Sequence, residues 1–222
     1  MNTNRDTYIP ALRYRWLTPL YDPVMRWFMR ESTFKRRLVE QAQVGKGHRV
    51  LDLGCGTATL AILIKKAQPD AEVIGIDGDP TILEIARDKV RKEGLEIPLY
   101  EGMAFDLPCR DNYLDRAFSS LVFHHLTRDD KIRTLREILR VLRPKGELHV
   151  ADFGKPQNDL MYIISLITRH FEEASDNVQG LLPGMIHDAG FERVEETARY
   201  MTIFGTLSLY RARKPAGKKG GI

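Results

Sequence analysis

Short runs of β-branched and other apolar residues alternate with apolar residues at helical spacing from Val50 onward. The strand-like runs lie at 49–54, 72–77, 97–102, within 114–123 and at 146–153. The helical patterns lie at 59–67, 81–94 and 129–142. This alternation is typical of a parallel sheet with helices on both faces, so the sequence predicts a doubly wound, Rossmann-like α/β fold.

The last third of the chain departs from this alternation. A strongly apolar helix is expected at 158–173 and a second helix at 181–191, and two strand-like runs follow at 193–204 and 205–214. Gly205 between the two runs favours a tight turn, which predicts an antiparallel hairpin at the edge of the sheet. With the earlier runs, the sheet is expected to have seven strands, most of them parallel.

Composition restricts the class of protein. Apolar residues make up 43% of the 222 residues, which is ordinary for a chain with a buried core, and two cysteines are too few for a disulfide scaffold. The start MNTNRDTY has no apolar leader, and the longest apolar stretch, 160–167, is far shorter than the roughly 20 residues that span a bilayer. We therefore expect a cytoplasmic protein.

The net charge of +4 is unevenly distributed along the chain. Residues 1–49 carry +6, residues 211–222 carry +5, and the residues between them carry −7. The first part is also rich in aromatic residues, and the last ends in the low-complexity run AGKKGGI. We expect an N-terminal helical lid at 1–48, a main domain at 49–213 and a disordered basic tail at 214–222.

The motif VLDLGCGTATLA contains the most specific local pattern. A strand ends near Asp52, Gly54 and Gly56 allow a sharp turn, and a helix follows at once, so its N–H groups face a ligand. A dinucleotide site needs a third glycine where Thr59 stands, and Asp52 would repel a pyrophosphate but attract an ammonium group. Asp77 closes the second strand, where a carboxylate can accept the hydroxyl hydrogens of a ribose. The pattern favours a nucleoside ligand without a pyrophosphate.

Four segments in order carry a resemblance to a known family. They are VLDLGCGTATLA, VIGIDGDPTILEIAR, LPCRDNYLDRAFSSLVFHHL and ILRVLRPKGELHVADFGKP. Together they resemble the successive motifs of class I S-adenosylmethionine-dependent methyltransferases, over about residues 48–156. Within that superfamily the sequence is most similar to the ubiquinone/menaquinone biosynthesis C-methyltransferases and related small-molecule enzymes.

The resemblance implies that S-adenosylmethionine is the cofactor and S-adenosylhomocysteine the product. It places the turn 54–57 around the methionine part, Asp52 near its ammonium group and Ser120 near the same part. It places Asp77 at the ribose hydroxyls and the pair 103–104 beside the adenine. The positions implied to bind the cofactor are Tyr21, Asp52, Gly54, Cys55, Gly56, Thr57, Asp77, Gly78, Met103, Ala104 and Ser120.

Two positions depart from the family pattern. Ala58 stands where the family commonly has glycine, and we expect helical backbone angles there, which alanine tolerates. Met103 stands where the family often has Asp or Asn to bind the adenine amine, and it offers only a thioether surface. Adenine would then be held by stacking and by the backbone of Ala104 and Phe105, or by Asp106.

Methyl transfer from a sulfonium is an in-line displacement that needs no metal, so the protein must align the reactants and remove a proton where the acceptor requires it. His124 and His125 follow the fourth strand and are the candidates for a base. The alternative is that His125 is structural, bonding a carbonyl or capping the helix near Asp129. Cys55 and Cys109 lack metal-ligand spacing, so no metal site is expected.

The acceptor is expected to be small and either apolar or aromatic. The segment 154–180 would form an insertion on the acceptor side, and its apolar helix either lines the acceptor pocket or packs in the core. The basic ends leave open an RNA, DNA or lipid methyltransferase, with membrane contact through the basic tail, and a non-catalytic cofactor-binding regulator is a further alternative. FSSLVFHHL stands where an Asn/Asp-Pro-Pro-Tyr motif would support a nucleic-acid substrate. Both a monomer and a homodimer remain open.

Overall fold

The computed structural model describes residues 31–168 and 174–217. Its helices are α1 Glu31–Ala42, α2 Thr59–Ala67, α3 Pro80–Lys92, α4 Arg128–Val141, α5 Asp159–Thr168, α6 Ser175–Val178 and α7 Leu182–Asp188. Its strands are β1 Arg49–Leu53, β2 Glu72–Asp77, β3 Leu99–Glu101, β4 Leu114–Ser120, β5 Leu142–Phe153, β6 Glu192–Thr202 and β7 Gly205–Arg213. The expectations for residues 1–30, which include Tyr21, lie outside the described residues, as does the end of the tail.

All the strands form one sheet in the order β3-β2-β1-β4-β5-β7-β6. The first five strands in this order, β3-β2-β1-β4-β5, pair in parallel with their neighbours. Strand β7 pairs antiparallel with both β5 and β6. The predicted seven-stranded, mostly parallel sheet with a C-terminal hairpin is confirmed. Because β7 takes the place beside β5, β6 forms the edge.

Two apolar layers cover the sheet because alternate strand residues point to opposite faces. Val50 packs in the layer under α1, α2 and α3, whereas its neighbour Leu51 packs in the layer under α4 and α7. In α1, which falls within the expected lid, Phe34 and Leu38 are fully buried in the first layer. Helix α1 is therefore part of the core of the main domain.

The connection between α4 and β5 differs from the prediction of a helix end followed by a separate strand at 146. Strand β5 begins at Leu142, directly after α4, because Leu142 pairs with Leu114 at the start of β4. The pairing register between β4 and β5 then shifts, so residues 143–146 have no paired partner in β4, and Lys145 among them has a φ of 68°. Lys214, expected in the free tail, donates from Nζ to the carbonyl of Leu142 at 2.7 Å.

Three further elements are shorter in the structure than the sequence predicts, by one to four residues, namely β3, α3 and α7. Two short elements were not predicted, a 3₁₀ turn at Phe123–His125 and the helix α6. Over 31–168 and 174–217, no helix has the length and apolar character needed to cross a membrane.

Candidate functional site

The turn between β1 and α2 is built on two glycines with left-handed backbone. Gly54 has a φ of 64° and Gly56 a φ of 52°. The N–H groups of Gly54 and Cys55 donate to the carbonyl of Ile76 at 2.8 and 3.0 Å, which ties the turn to the end of β2. A Cβ at Gly54 would lie 2.3 Å from a methyl of Val122, so this position requires glycine for both its angles and its space.

The backbone at Ala58 contradicts the expectation of helical angles. Ala58 is the N-cap of α2 and has φ 60° and ψ 23°, in the left-handed region. A residue with a Cβ costs roughly 1–2 kcal/mol there, and glycine avoids that cost. The departure from the family pattern is therefore a strained position in the glycine turn.

Asp52 is a carboxylate inside the sheet at the base of this turn. It is 1% exposed, and its Oδ2 accepts the N–H of Ala61 at 2.9 Å. Its Oδ1 has no hydrogen-bond partner in the part of the chain that the structure describes. Burial raises the pKa of Asp52 to about 7, against the attraction of Lys35 and the bond from Ala61. An ammonium group at Oδ1 would supply the missing partner and favour the ionised form.

Asp77 lies at the end of β2, facing the same turn. Its two oxygens accept the N–H groups of Gly56 at 2.8 Å and Asp79 at 3.0 Å. Each oxygen retains a lone pair for a hydroxyl hydrogen. Burial raises the pKa of Asp77, against these backbone hydrogen bonds. Gly78 joins it to the start of α3 and is half-buried.

The other two residues of the turn differ in role. Cys55 is buried, and burial raises the pKa of its thiol well above the usual range, so it acts as a small packing residue. Thr57 is half-buried, and its hydroxyl lies 3.3 Å from that of Thr59 and 3.4 Å from Nζ of Lys89. The side chain of Thr57 is thereby held at the start of α2.

The pair expected beside the adenine follows β3. Met103 and Ala104 are both half-buried, and the carbonyl of Met103 accepts the N–H of Asp106 at 3.1 Å in a tight turn. Gly102 donates to the carbonyl of Asp77 at 3.0 Å, so this turn lies beside the predicted ribose ligand. The two predicted neighbours of the adenine therefore lie close to the predicted ribose ligand.

Ser120 ends β4 next to the glycine turn, because β4 is the neighbour of β1 in the sheet. Its hydroxyl is buried and has no hydrogen-bond partner among the described residues. Leu121 follows with a φ of 61°, an unusual angle for a bulky residue. Backbone strain of this kind concentrates at functional sites, and no sequence signal indicated it.

The two histidines lie on the 3₁₀ turn after β4. His124 is 5% exposed, and its Nδ1 lies 2.9 Å from Oδ1 of Asp152, whereas His125 is half-buried. Their ring centroids are 3.9 Å apart. Burial opposes the ionisation of Asp152, but the attraction of His124 and the hydrogen bonds that it accepts outweigh that effect and lower its pKa. Sequence reasoning missed Asp152.

Metal binding was not expected, and the described residues contain no group of three or more His, Cys, Asp or Glu side chains that could hold an ion.

The sheet order, the glycine turn and the acids at or near the ends of β1 and β2 form the arrangement that is typical of nucleoside-binding domains of the Rossmann-like class. The model of a family described as a methyltransferase domain matches residues 50–146. The chain is 33% identical over 170 residues to demethylmenaquinone methyltransferase of Thermus thermophilus, with 76% of each chain covered. It is 32% identical over 188 residues to ubiquinone/menaquinone biosynthesis C-methyltransferase UbiE of Shewanella sediminis, with 74% of each covered.

Solved structures agree with this assignment at the level of the fold. A putative methyltransferase from Bacillus halodurans superposes with a TM-score of 0.67 at 19% identity, over 82% of this chain and 99% of that one. The chain belongs to the class I S-adenosylmethionine-dependent methyltransferases, as the sequence motifs predicted.

Proposed function

We propose that this protein transfers the methyl group of S-adenosylmethionine to a ring carbon of a small, apolar aromatic acceptor of the quinone class. The observation that carries the proposal is the buried Oδ1 of Asp52 beside a glycine turn, which has no hydrogen-bond partner among residues 31–168 and 174–217. Relatives named for demethylmenaquinone and for ubiquinone/menaquinone biosynthesis support the choice of acceptor. The C-methyltransferase name of the second relative supports the proposal of a carbon acceptor.

The residues of the turn fit the cofactor. Asp52 would hold its ammonium group, Asp77 its ribose hydroxyls, and the buried hydroxyl of Ser120 a polar atom of the methionine part. A Cβ at Gly56 would meet no atom within 4 Å, so that side of the turn has space for a ligand. The half-buried pair 103–104 would lie along the adenine.

When bound, the cofactor would supply a sulfonium methyl group: the acceptor carbon would bond to the methyl carbon, and the sulfur would leave in line with the electron pair of the broken C–S bond. The chain's task is to hold both reactants in alignment and to exclude water. His124 and His125 are the residues we assign to proton removal from the acceptor. His125, the more exposed of the two, would approach the acceptor, and His124 would support it from the buried side.

An apolar surface at the carboxyl end of the sheet supports an apolar acceptor. Several large apolar side chains are more than half exposed on α5 and at the tip of the β6–β7 hairpin, and Asn158 before α5 lies 3.5 Å from the sulfur of Met201 in that hairpin. Exposed apolar surface of this kind marks interaction sites. The side chains are Leu160, Tyr162, Ile163, Met201 and Ile203. We place the apolar part of the acceptor against this surface rather than against the basic tail.

The test combines cofactor binding with product analysis. Calorimetry should show binding of S-adenosylhomocysteine, and mass spectrometry should show a gain of one methyl on a reduced demethylated naphthoquinone. Asp77→Asn should weaken binding at least tenfold. A carboxylate can accept one hydroxyl hydrogen at each of its two oxygens, whereas an amide has a single acceptor oxygen. Asp70→Asn, at an exposed acid in the loop before β2, is the matched control and should bind normally. No binding by the wild-type chain would refute the proposal, and binding without C-methylation would refute its acceptor.

A further inference from the structure

One buried carboxylate joins three elements around the site. Asp152, near the end of β5, is fully buried, and its Oδ2 accepts the N–H groups of Val122 at 3.1 Å and Phe123 at 2.8 Å. Its Oδ1 lies 2.9 Å from Nδ1 of His124 and accepts Nδ2 of Asn177 at 3.1 Å. These contacts bring the loop after β4 and the helix α6 to one residue of β5.

On the cofactor side, the contact passes through Val122. The side chain of Val122 lies so close to Gly54 that a Cβ added there would be 2.3 Å from its methyl. The N–H of Val122 is held by Asp152, and the preceding residue, Leu121, has a φ of 61°. A loop in such a strained conformation persists only when its surroundings determine it. Asp152 thus sets the position of the side chain against which the cofactor turn packs.

On the acceptor side, the contact passes through Asn177. This residue is fully buried in α6, and the adjacent Asp176 forms ion pairs with Arg128 and Lys131 of α4. The segment that contains α6 lies within the region expected to bind the acceptor. The hydrogen bond from Asn177 to Asp152 therefore fixes one part of that region to β5.

The same carboxylate orients His124. An ionised carboxylate only accepts hydrogen bonds, so Nδ1 of His124 must carry the hydrogen in this pair. In the neutral ring Nε2 is then the nitrogen without a proton and the one able to take a proton. Asp152 is an acid in contact with the ring of His124, and the titratable ring of His125 lies on it with the centroids 3.9 Å apart.

We propose that Asp152 is the positioning residue of the methyl transfer, fixing the loop that packs on the cofactor turn, the tautomer of His124 and the acceptor-side helix α6 in one frame. The acceptor-side part rests on the function proposed above. The role differs from that of a residue that only stabilises the fold, because it predicts effects on cofactor affinity and on the pH dependence of the rate.

The test compares Asp152→Asn with Asp115→Asn. Asp115 is also buried, at 4% exposure, and its Oδ2 accepts the backbone N–H of Arg49 at 2.7 Å at the opposite end of the sheet. Both variants lose a buried carboxylate that pairs with backbone, so both should lower Tm. Only Asp152→Asn should weaken S-adenosylhomocysteine binding about tenfold, lower kcat by a hundredfold or more and displace the acidic limb of the pH–rate profile.

If Asp152→Asn does not fold, two milder variants test separately the contact through Val122 on the cofactor side and the contact through Asn177 on the acceptor side. Val122→Ala should weaken S-adenosylhomocysteine binding several-fold with little change in the KM of the acceptor, and Asn177→Ala should raise that KM with little change in cofactor affinity. Equal cofactor affinity and equal pH profiles for the wild type and Asp152→Asn would overturn the inference, as would unchanged binding constants in both milder variants. A wild-type chain that binds no cofactor would instead refute the proposed function.

Discussion

Replacing Asp52 by asparagine separates two effects of the buried carboxylate: its cost to the free energy of unfolding and its contribution to cofactor binding. Burial raises the pKa of Asp52 from its ordinary 3.8 to about 7. Between these values the folded chain keeps a proton that the unfolded chain has lost, so the free energy of unfolding falls as the pH rises through this range. At about 1.4 kcal/mol for each pH unit, the loss is complete above pH 7 and amounts to roughly 4 kcal/mol.

Asparagine keeps the shape of the side chain and an oxygen that can accept the N–H of Ala61, and it does not ionise. Urea unfolding of wild type and Asp52→Asn at pH 5 and pH 8 measures the effect. Relative to wild type, the variant should gain roughly 3 kcal/mol between these two pH values, because most of the titration lies between them. At pH 8 it should bind S-adenosylhomocysteine at least tenfold more weakly, because a carboxamide carries no charge to pair with an ammonium group.

Asp176→Asn is the control for sign. The pKa of Asp176 is lowered chiefly because its carboxylate accepts a hydrogen bond from Arg128, and Lys131 adds to the effect. A guanidinium does not titrate in this range, so the stability that Asp176 contributes is lost only as the pH falls below the ordinary range of a carboxyl. The stability difference between that variant and wild type should be constant from pH 5 to pH 8. If the difference for Asp52→Asn is equally constant, a buried, largely protonated Asp52 is the wrong description of this site.

Three further substitutions or reactions test the turn. Gly54→Ala should abolish cofactor binding and cost more than 2 kcal/mol, whereas Gly94→Ala, with the same φ of 64° but no atom within 4 Å of its Cβ, should cost about 1 kcal/mol in urea unfolding. Ala58→Gly should leave the free energy of unfolding within about 1 kcal/mol of wild type, since relief of roughly 1–2 kcal/mol of strain offsets a lost buried methyl and a more flexible unfolded chain. Native protein treated with a thiol reagent should be modified first at the half-buried Cys109, with Cys55 reacting only on unfolding; equal rates would contradict the packing role of Cys55.

The strand ends could be predicted because their signals are local. The alternation of β-branched runs with helical spacing located β1 and β2, and the position of Asp52 and Asp77 at their ends followed from the strand boundaries. The class of ligand was predicted from the charge of Asp52, the two glycines of the turn with no third one, and the position of Asp77. These inferences require only neighbours in sequence.

The conformations of Ala58 and Leu121 could not be predicted, because they depend on partners distant in sequence. The N–H of Leu121 donates to the carbonyl of Ala151 at 2.8 Å, a contact that exists only once β4 and β5 are paired. The pairing of Asp152 with Asn177 likewise joins residues 25 positions apart across a helix and a loop. Tertiary contacts of this kind leave no periodic pattern in the sequence, so the residues that support the site could not be predicted from it.

The order of strands has a consequence for how the chain is made. Strand β7 follows β6 along the chain and leaves the ribosome after it, yet it lies between β5 and β6. Until Gly205–Arg213 has been synthesised, β5 has an unpaired edge that carries Leu148 and Val150. Open edges of this kind are templates for aggregation in nascent chains. A fragment that stopped before Gly205 would contain every residue that we assign to the cofactor, and its β5 would still lack the antiparallel neighbour that covers this edge.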